Sequence, residues 1–418
     1  MTLSENESFP QEIDAGQSER GARARSFFAF CAFHFVDDGF TDCIYLLLPF
    51  LATEFNLSFS QVGILNGVFS GSMSLFQVPL SLLAERIGEL TVVGAGTFGL
   101  TGGFLLLSRA ATFPGIFLSL IVAKGTAAGQ HGLSSSVLSK VFEVSGRRTV
   151  MGTYNFSGDI GKVCLPFLLT LMINLWGWRQ GVTILSIGGF AAGVLLWSLA
   201  GKRSGPPPPV HREKRAAPKA KGWGIRNRKS FTALLTIGVI DISVRYALLT
   251  FLPFLLLKKG IPVAHVGFGL TLLFAGGALG KFACGVLAEW FGIIPMVVGT
   301  EALTAAGILS LVWLPLPWVW IILPMVGVVL NGTSSVLYAT VADIISPEAR
   351  SRGYGLYYAV TLGSGAVSPM VFGLITDSLG LSATLAVTAL MILVTLPLSR
   401  FLSRPPGNES YKPGLSKS

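Results

Sequence analysis

The sequence predicts an all-α polytopic membrane protein, with twelve transmembrane helices in two pseudo-symmetric six-helix halves. Three observations predict it. The 418 residues are 51% hydrophobic and only 12% charged, with a mean hydropathy of +0.65, far outside soluble-domain usage. Apolar runs long enough to cross a bilayer lie at 26–52, 61–84, 91–109, 113–141, 149–174, 180–200, 230–257, 266–289, 293–314, 318–345, 353–376 and 382–402. The two halves also repeat in one register. At an offset of 204, Asp37 meets Asp241, Pro49 meets Pro253, and Leu83-Ala84-Glu85 meets Leu287-Ala288-Glu289. At an offset of 203, Arg147 meets Arg350, Gly152 meets Gly355, Tyr154 meets Tyr357, and Pro166 meets Pro369. Two parallel halves of this kind are a transporter plan, which says little about cargo.

The segments between and around the runs set the organisation. Residues 1–25 are polar, lack an apolar core, and are expected to form a disordered cytoplasmic tail rather than a signal peptide. The first half covers 26–200. Residues 201–229, GKRSGPPPPVHREKRAAPKAKGWGIRNRK, are a basic Pro-rich linker. The second half covers 230–402, and a tail follows at 403–418. Ten of the Lys and Arg residues lie between Lys202 and Lys229. The net charge of +10 therefore reads as positive-inside topology with both termini cytoplasmic, and not as a nucleic-acid surface. Cys31, Cys43, Cys164 and Cys284 sit in apolar runs without CxxC spacing, so no metal site or disulfide framework is indicated. Fifty glycines suit close helix packing in lipid.

The first run, FFAFCAFHFVDDGFTDCIYLLLPFL, carries His34, Asp37, Asp38 and Asp42. With Thr41 and Tyr45 they fall within an arc of roughly 140° on a helix. Such a face cannot meet lipid, because each buried carboxylate costs several kcal/mol. It is either a polar cluster that locks the helix to its neighbours or a proton-handling face. Buried carboxylates disfavour their charged form, which suits the second role. The fourth run places Lys124, His131 and Ser135 on one face, where a basic helix would offset an acidic one. The ordinary alternatives are a snorkelling lysine and a neutral core histidine. The fifth run places Asn155, Asp159 and Lys162 together, the last two spaced to pair.

The second half is less polar. Asp241 and Arg245 are one turn apart, Lys281 lies among glycines, and Asn331 and Tyr357 offer hydrogen bonds. The candidate substrate-binding set is Tyr45, Lys124, His131, Asn155, Asp159, Lys162, Asp241, Arg245, Lys281, Asn331 and Tyr357, with His34, Asp37, Asp38 and Asp42 as the proton-coupling set. No Walker loop, HExxH or G-x-S-x-G pattern occurs, so neither an enzyme nor a nucleotide-driven pump is indicated, and no cofactor or metal is expected.

The loop SLLAERIGE at 81–89 resembles the G-x-L-A-D-R-x-G-R signature of the major facilitator superfamily, with Ser81 for Gly, Glu85 for Asp and Glu89 for a basic residue. The second copy, GVLAEWFGI at 285–293, keeps Gly285 and Gly292. The resemblance implies that Glu85, Arg86 and Glu289 belong to a gating loop. The runs HFVDD, LPFLATEFNLSFSQVG, QHGLSSS and GRRTVMGTYNFSGDIGKVCLP are similar to the fosmidomycin-resistance-like group of bacterial exporters. The Gly-x-x-Gly-then-Pro pattern of the fifth helix is similar to the glycine-rich motif of proton-coupled antiporters. The function expected is proton-coupled efflux of a small organic compound or drug. The alternatives are a proton-coupled importer of a small organic anion, with Lys124, Lys281 and Arg245 as counter-charges, and a non-transporting membrane sensor. The expected partners are a small-molecule substrate, protons and the lipid bilayer of a bacterial inner membrane, with the protein acting as a monomer.

Overall fold

The computed structural model describes residues 9–142, 147–201, 223–346 and 350–402. Its helices are α1 (Phe9–Glu54), α2 (Phe59–Ile87), α3 (Glu89–Arg109), α4 (Phe113–Thr126), α5 (Gln130–Val141), α6 (Arg147–Trp176) and α7 (Trp178–Gly201). They continue as α8 (Arg228–Lys258), α9 (Val263–Phe291), α10 (Ile293–Trp313), α11 (Leu316–Ile344), α12 (Arg350–Leu379), α13 (Leu381–Ile392) and α14 (Thr395–Ser399). Among the described residues, ten helical stretches are long and apolar enough to cross a membrane. The other two predicted spans are α1, which carries three carboxylates in its apolar stretch, and the α4–α5 pair.

Three expected boundaries change. Residues 9–25, expected to be disordered, continue α1 as helix; propagation onto an existing helix avoids the cost of nucleation. The fourth span is not one helix but two. Gly125 and Gly129 flank the break, each costing about 1 kcal/mol against Ala inside a helix. The chain there makes tighter bonds, Ala128 N–H to the Gly125 carbonyl (3.4 Å) and Gln130 N–H to the Ala127 carbonyl (3.0 Å). The last span breaks similarly at Leu393–Val394. Of the linker, residues 202–222 lie outside the described residues, as does the tail at 403–418.

The repeat is visible in the backbone. Left-handed residues recur as Asn56 and Gly260, Gly88 (φ 94°) and Gly292 (φ 88°), and Gly177 (φ 80°) and Gly380 (φ 82°). These positions end one helix and start the next, a conformation that favours glycine. Buried threonines recur as well. Thr97 and Thr101 in α3, like Thr300 and Thr304 in α10, each return a hydroxyl to the carbonyl one turn back, which satisfies the group inside an apolar span.

The chain forms two compact units that do not coincide with the sequence halves. One contains Met1–Ile44 and Ser72–His211; the other contains Tyr45–Gly71 and Arg212–Ser418. Small residues explain why Tyr45–Gly71 joins the second. A Cβ on Gly63 would lie 2.1 Å from the Pro369 carbonyl oxygen, and one on Gly67 would lie 2.5 Å from that of Ala366. The α2 and α12 backbones are thus in direct contact, as small-residue stripes permit.

Asp377 completes that contact. Its carboxylate accepts from the Phe59 and Ser60 backbone N–H groups, both at 2.9 Å, and from the Ser60 hydroxyl. An anion thereby caps the α2 N-terminus from another helix. Asp377→Ala is expected to cost about 1 kcal/mol, read as a lower melting temperature of the purified protein. Asp377→Asn should lose less, since it keeps an acceptor. Unchanged melting in Asp377→Ala would contradict the cap.

Candidate functional site

The first unit holds a buried ionisable cluster built by α1, α4, α5 and α6. Glycines let α1 and α6 meet closely. A Cβ on Gly161 would fall 2.1 Å from the Phe35 carbonyl oxygen, and one on Gly158 would fall 2.6 Å from Asp38 Oδ2 and 2.7 Å from His34 Cε1. The α6 backbone is therefore one wall of the cluster. His34, Asp37 and Asp38 are 2%, 2% and 6% exposed, too dry for unpaired charges.

Each acid has its own cation. Lys124 Nζ stands 3.3 Å from Asp37 Oδ2 and donates to the Thr41 hydroxyl at 2.7 Å. Lys162 Nζ stands 3.1 Å from Asp38 Oδ2 and 3.9 Å from Asp159 Oδ1. His131 bridges the pair, its Nε2 3.6 Å from Asp37 Oδ2 and 3.4 Å from Asp38 Oδ1. Across the break between α4 and α5, Lys124 and His131 both reach Asp37. Asp42 and Asp159 add their charge at Lys162. The cluster thus sets four carboxylates against two ammonium groups, and its two imidazoles can carry the difference.

His34 fixes its own tautomer. Its Nδ1 donates to the Tyr154 carbonyl (2.8 Å), and its ring stacks on the Tyr154 ring at 4.1 Å. Nδ1 must therefore bear a proton, and Nε2 faces Asp38 Oδ2 at 3.3 Å. A bare nitrogen lone pair against a carboxylate is repulsive. Nε2 makes no hydrogen bond there, and a proton on the imidazole or on the carboxyl would turn the approach into an ion pair or a hydrogen bond.

His34, Asp38 and His131 also bring one ligand atom each within 4.8 Å of one another, and the carbonyl behind His34 is the usual second-layer partner of a metal-binding histidine. The donor set nonetheless fits a divalent cation poorly. The Lys162 ammonium already sits on the carboxylate such an ion would use, and it would repel one.

The second unit holds a smaller network. Arg245 Nη2 donates to Asp241 Oδ2 (3.0 Å), to the Leu330 carbonyl (3.1 Å) and to the Ser334 hydroxyl. The repeat explains the correspondence. Asp241 stands for Asp37, Ser334 for His131, and Arg245 for Thr41, so the cation moves from α4 onto α8 itself. Gly238 stands for His34, and the space is taken by Tyr357, whose hydroxyl would lie 2.4 Å from a Cβ there. Ile242 and Gly365 stand for Asp38 and Lys162. The His34–Asp38–Lys162 layer of the first unit thus has no counterpart here.

The remaining candidates are dispersed. Tyr45 is grouped with the second unit, buried with its ring 6.4 Å from Phe274. It lies beyond the point at which α1 passes from one unit to the other. Asn155 is exposed, outside the contact set. Asn331 packs on Gly277 and donates to the Gly327 carbonyl at 3.3 Å, and Lys281 is half-buried in α9. Glu85, Arg86 and Glu289 are exposed. In the first loop it is Glu89 that makes a cross-helix contact, accepting from the Ser136 hydroxyl at 2.9 Å.

Glu301 in α10 was not among the sequence candidates. It is 0% exposed. In the repeat it stands where the first half has Phe98, so pairing the halves gives it no counterpart. A lone acid in the apolar stretch GTEALTAAG is itself the signal that finds it.

Comparison with known proteins accords with this architecture. The chain is 23% identical over 418 residues to the fosmidomycin resistance protein of Escherichia coli (strain K12), covering 94% of this chain and 97% of that one. It is 25% identical over 360 residues to an MFS-type efflux pump of Mycolicibacterium smegmatis, covering 82% of each. Its fold is similar to that of a bacterial homolog of the human lysosomal transporter Spinster in an inward-facing, occupied conformation, with a TM-score of 0.77 at 17% identity over 91% of this chain and 96% of that one. The family model of the Major Facilitator Superfamily matches residues 30–341 and 234–417. With two repeated helical halves and a buried ionisable cluster in the first, this multi-pass membrane protein belongs to the Major Facilitator Superfamily and is a transporter rather than an enzyme.

Proposed function

We propose that the chain exports a small organic compound or drug in exchange for protons, by alternating access. The observation that carries this reading is the buried His34–Asp38 approach, 3.3 Å between Nε2 and Oδ2, where either group can take up a proton. Lys162 approaches the same oxygen. A proton and an ammonium thus compete for one carboxylate. Moving Lys162 away would let Asp38 take a proton, and returning it would expel one, so protonation is tied to conformation. His131, with its side chain 35% exposed, is less enclosed than either His34 or Asp38.

The cations argue for export over uptake of an anion. Lys124, Lys162 and Arg245 are each spent on a carboxylate and are poor counter-charges for an anionic cargo. The printed names of two relatives, a resistance protein and an efflux pump, support the same direction. Fosmidomycin is the first probe to try, and a panel of toxic compounds against a deletion strain would widen the search. Proteoliposomes with the full chain should move a recognised probe against an imposed pH gradient. Binding without movement would favour the non-transporting reading.

The proposed setting is a bacterial cytoplasmic membrane, with the protein acting as a monomer and both termini cytoplasmic. The basic linker supports this orientation. Ser204→Cys should react with a membrane-impermeant thiol reagent only from the cytoplasmic side, and labelling from outside intact cells would overturn it.

A further inference from the structure

The second unit contains a buried acid that the coupling reading does not use. Glu301 is 0% exposed, and neither of its oxygens meets a hydrogen-bond donor among the described residues. Asp241 Oδ1 and Arg245 Nε are likewise buried without hydrogen-bond partners. Glu301 interacts electrostatically with both Asp241 and Arg245. A buried carboxyl without hydrogen-bond partners thus lies within electrostatic reach of the Asp241–Arg245 ion pair.

The charge balance of this site is one cation short. Arg245 is fixed on Asp241 by a 3.0 Å bond and held from behind by the Leu330 carbonyl and Ser334. It can neutralise one carboxylate. A second anion there, without donors, would cost several kcal/mol. The other groups facing the site are phenols: Tyr246 from α8, Tyr338 from α11 and Tyr357 from α12. They supply no positive charge. The helices α13 and α14 carry no titratable residue, and in mid-span α9 offers Lys281 and Cys284. A proton is the simplest neutraliser.

We propose that Glu301 is a second proton-binding site: it holds a proton beside the Asp241–Arg245 pair and exchanges it independently of the α1 cluster. The arrangement has two states. With Glu301 protonated, Arg245 stays on Asp241. With the proton gone, Glu301 competes for the guanidinium, whose Nε is unused, and draws α8 and α10 together. This extends the proton-coupled reading to the second unit but rests on a separate site.

The test is infrared difference spectroscopy of the full chain in lipid nanodiscs between neutral and alkaline pH, with proton release counted by an indicator dye. The wild type should show a buried carboxylic-acid C=O band that disappears on alkalinisation. Glu301→Gln should lack that band and release about one proton fewer per molecule, while Asp38→Asn keeps it. Glu301→Asp, which retains a carboxyl, should shift the band and covers the case in which Glu301→Gln fails to fold. A band unmoved in both Glu301 variants, or lost in Asp38→Asn instead, overturns the site. Transport that ignores pH in the presence of the Glu301 band would refute the coupling role of α1 and leave this site standing.

Discussion

Asp38→Asn is expected to abolish transport driven by a pH gradient while leaving probe binding and exchange measurable. The amide keeps the shape of the carboxyl but cannot take up or give back a proton beside His34, and it gives Lys162 no charge to release. A drop to the flux of empty liposomes is the expected size of the effect. Removing one member of a buried charged group can cost about 3–5 kcal/mol, so retained binding is the control that separates lost coupling from lost fold. Asp241→Asn should be milder, because Arg245 keeps its bonds to Leu330 and Ser334. If Asp37→Asn and Asp38→Asn both transport with unaltered pH dependence, the cluster is structural.

Gly161→Ala is expected to damage both stability and transport. Its Cβ would lie 2.1 Å from the Phe35 backbone oxygen, a backbone atom that cannot step aside by a rotamer change. The helices α1 and α6 would have to separate, at about 1–3 kcal/mol for overpacking. Separation would lengthen the Lys162–Asp38 contact that spans the same crossing. A lower melting temperature together with weakened pH-driven flux is the predicted pair. Wild-type melting would show that the two helices are not in backbone contact. Gly158→Ala, whose Cβ meets the side chains of Asp38 and His34, should spare stability more than coupling.

The fold was legible because the repeat is written in residues that backbone geometry demands. Gly88 and Gly292 hold the same positive φ at matching turns, and Asp37 and Asp241 are buried at matching sites. The α1 acids were legible because carboxylates in an apolar run demand partners. The partners were only half so: Lys124, His131 and Lys162 were named, but a helical wheel assumed a continuous fourth helix. The break at Ala127–Gly129 depends on two glycines whose effect sequence spacing does not weigh. Glu301 was passed over because the repeat offered no acid to pair with it.

The measurement that tests the central claim most directly is the direction of probe flux through the purified full chain in liposomes under pH gradients of opposite sign. Proton-coupled efflux predicts that the probe moves opposite to the protons, that reversing the gradient reverses the flux, and that a protonophore stops it. Flux that runs with the protons, or that is indifferent to the sign of the gradient, would contradict it.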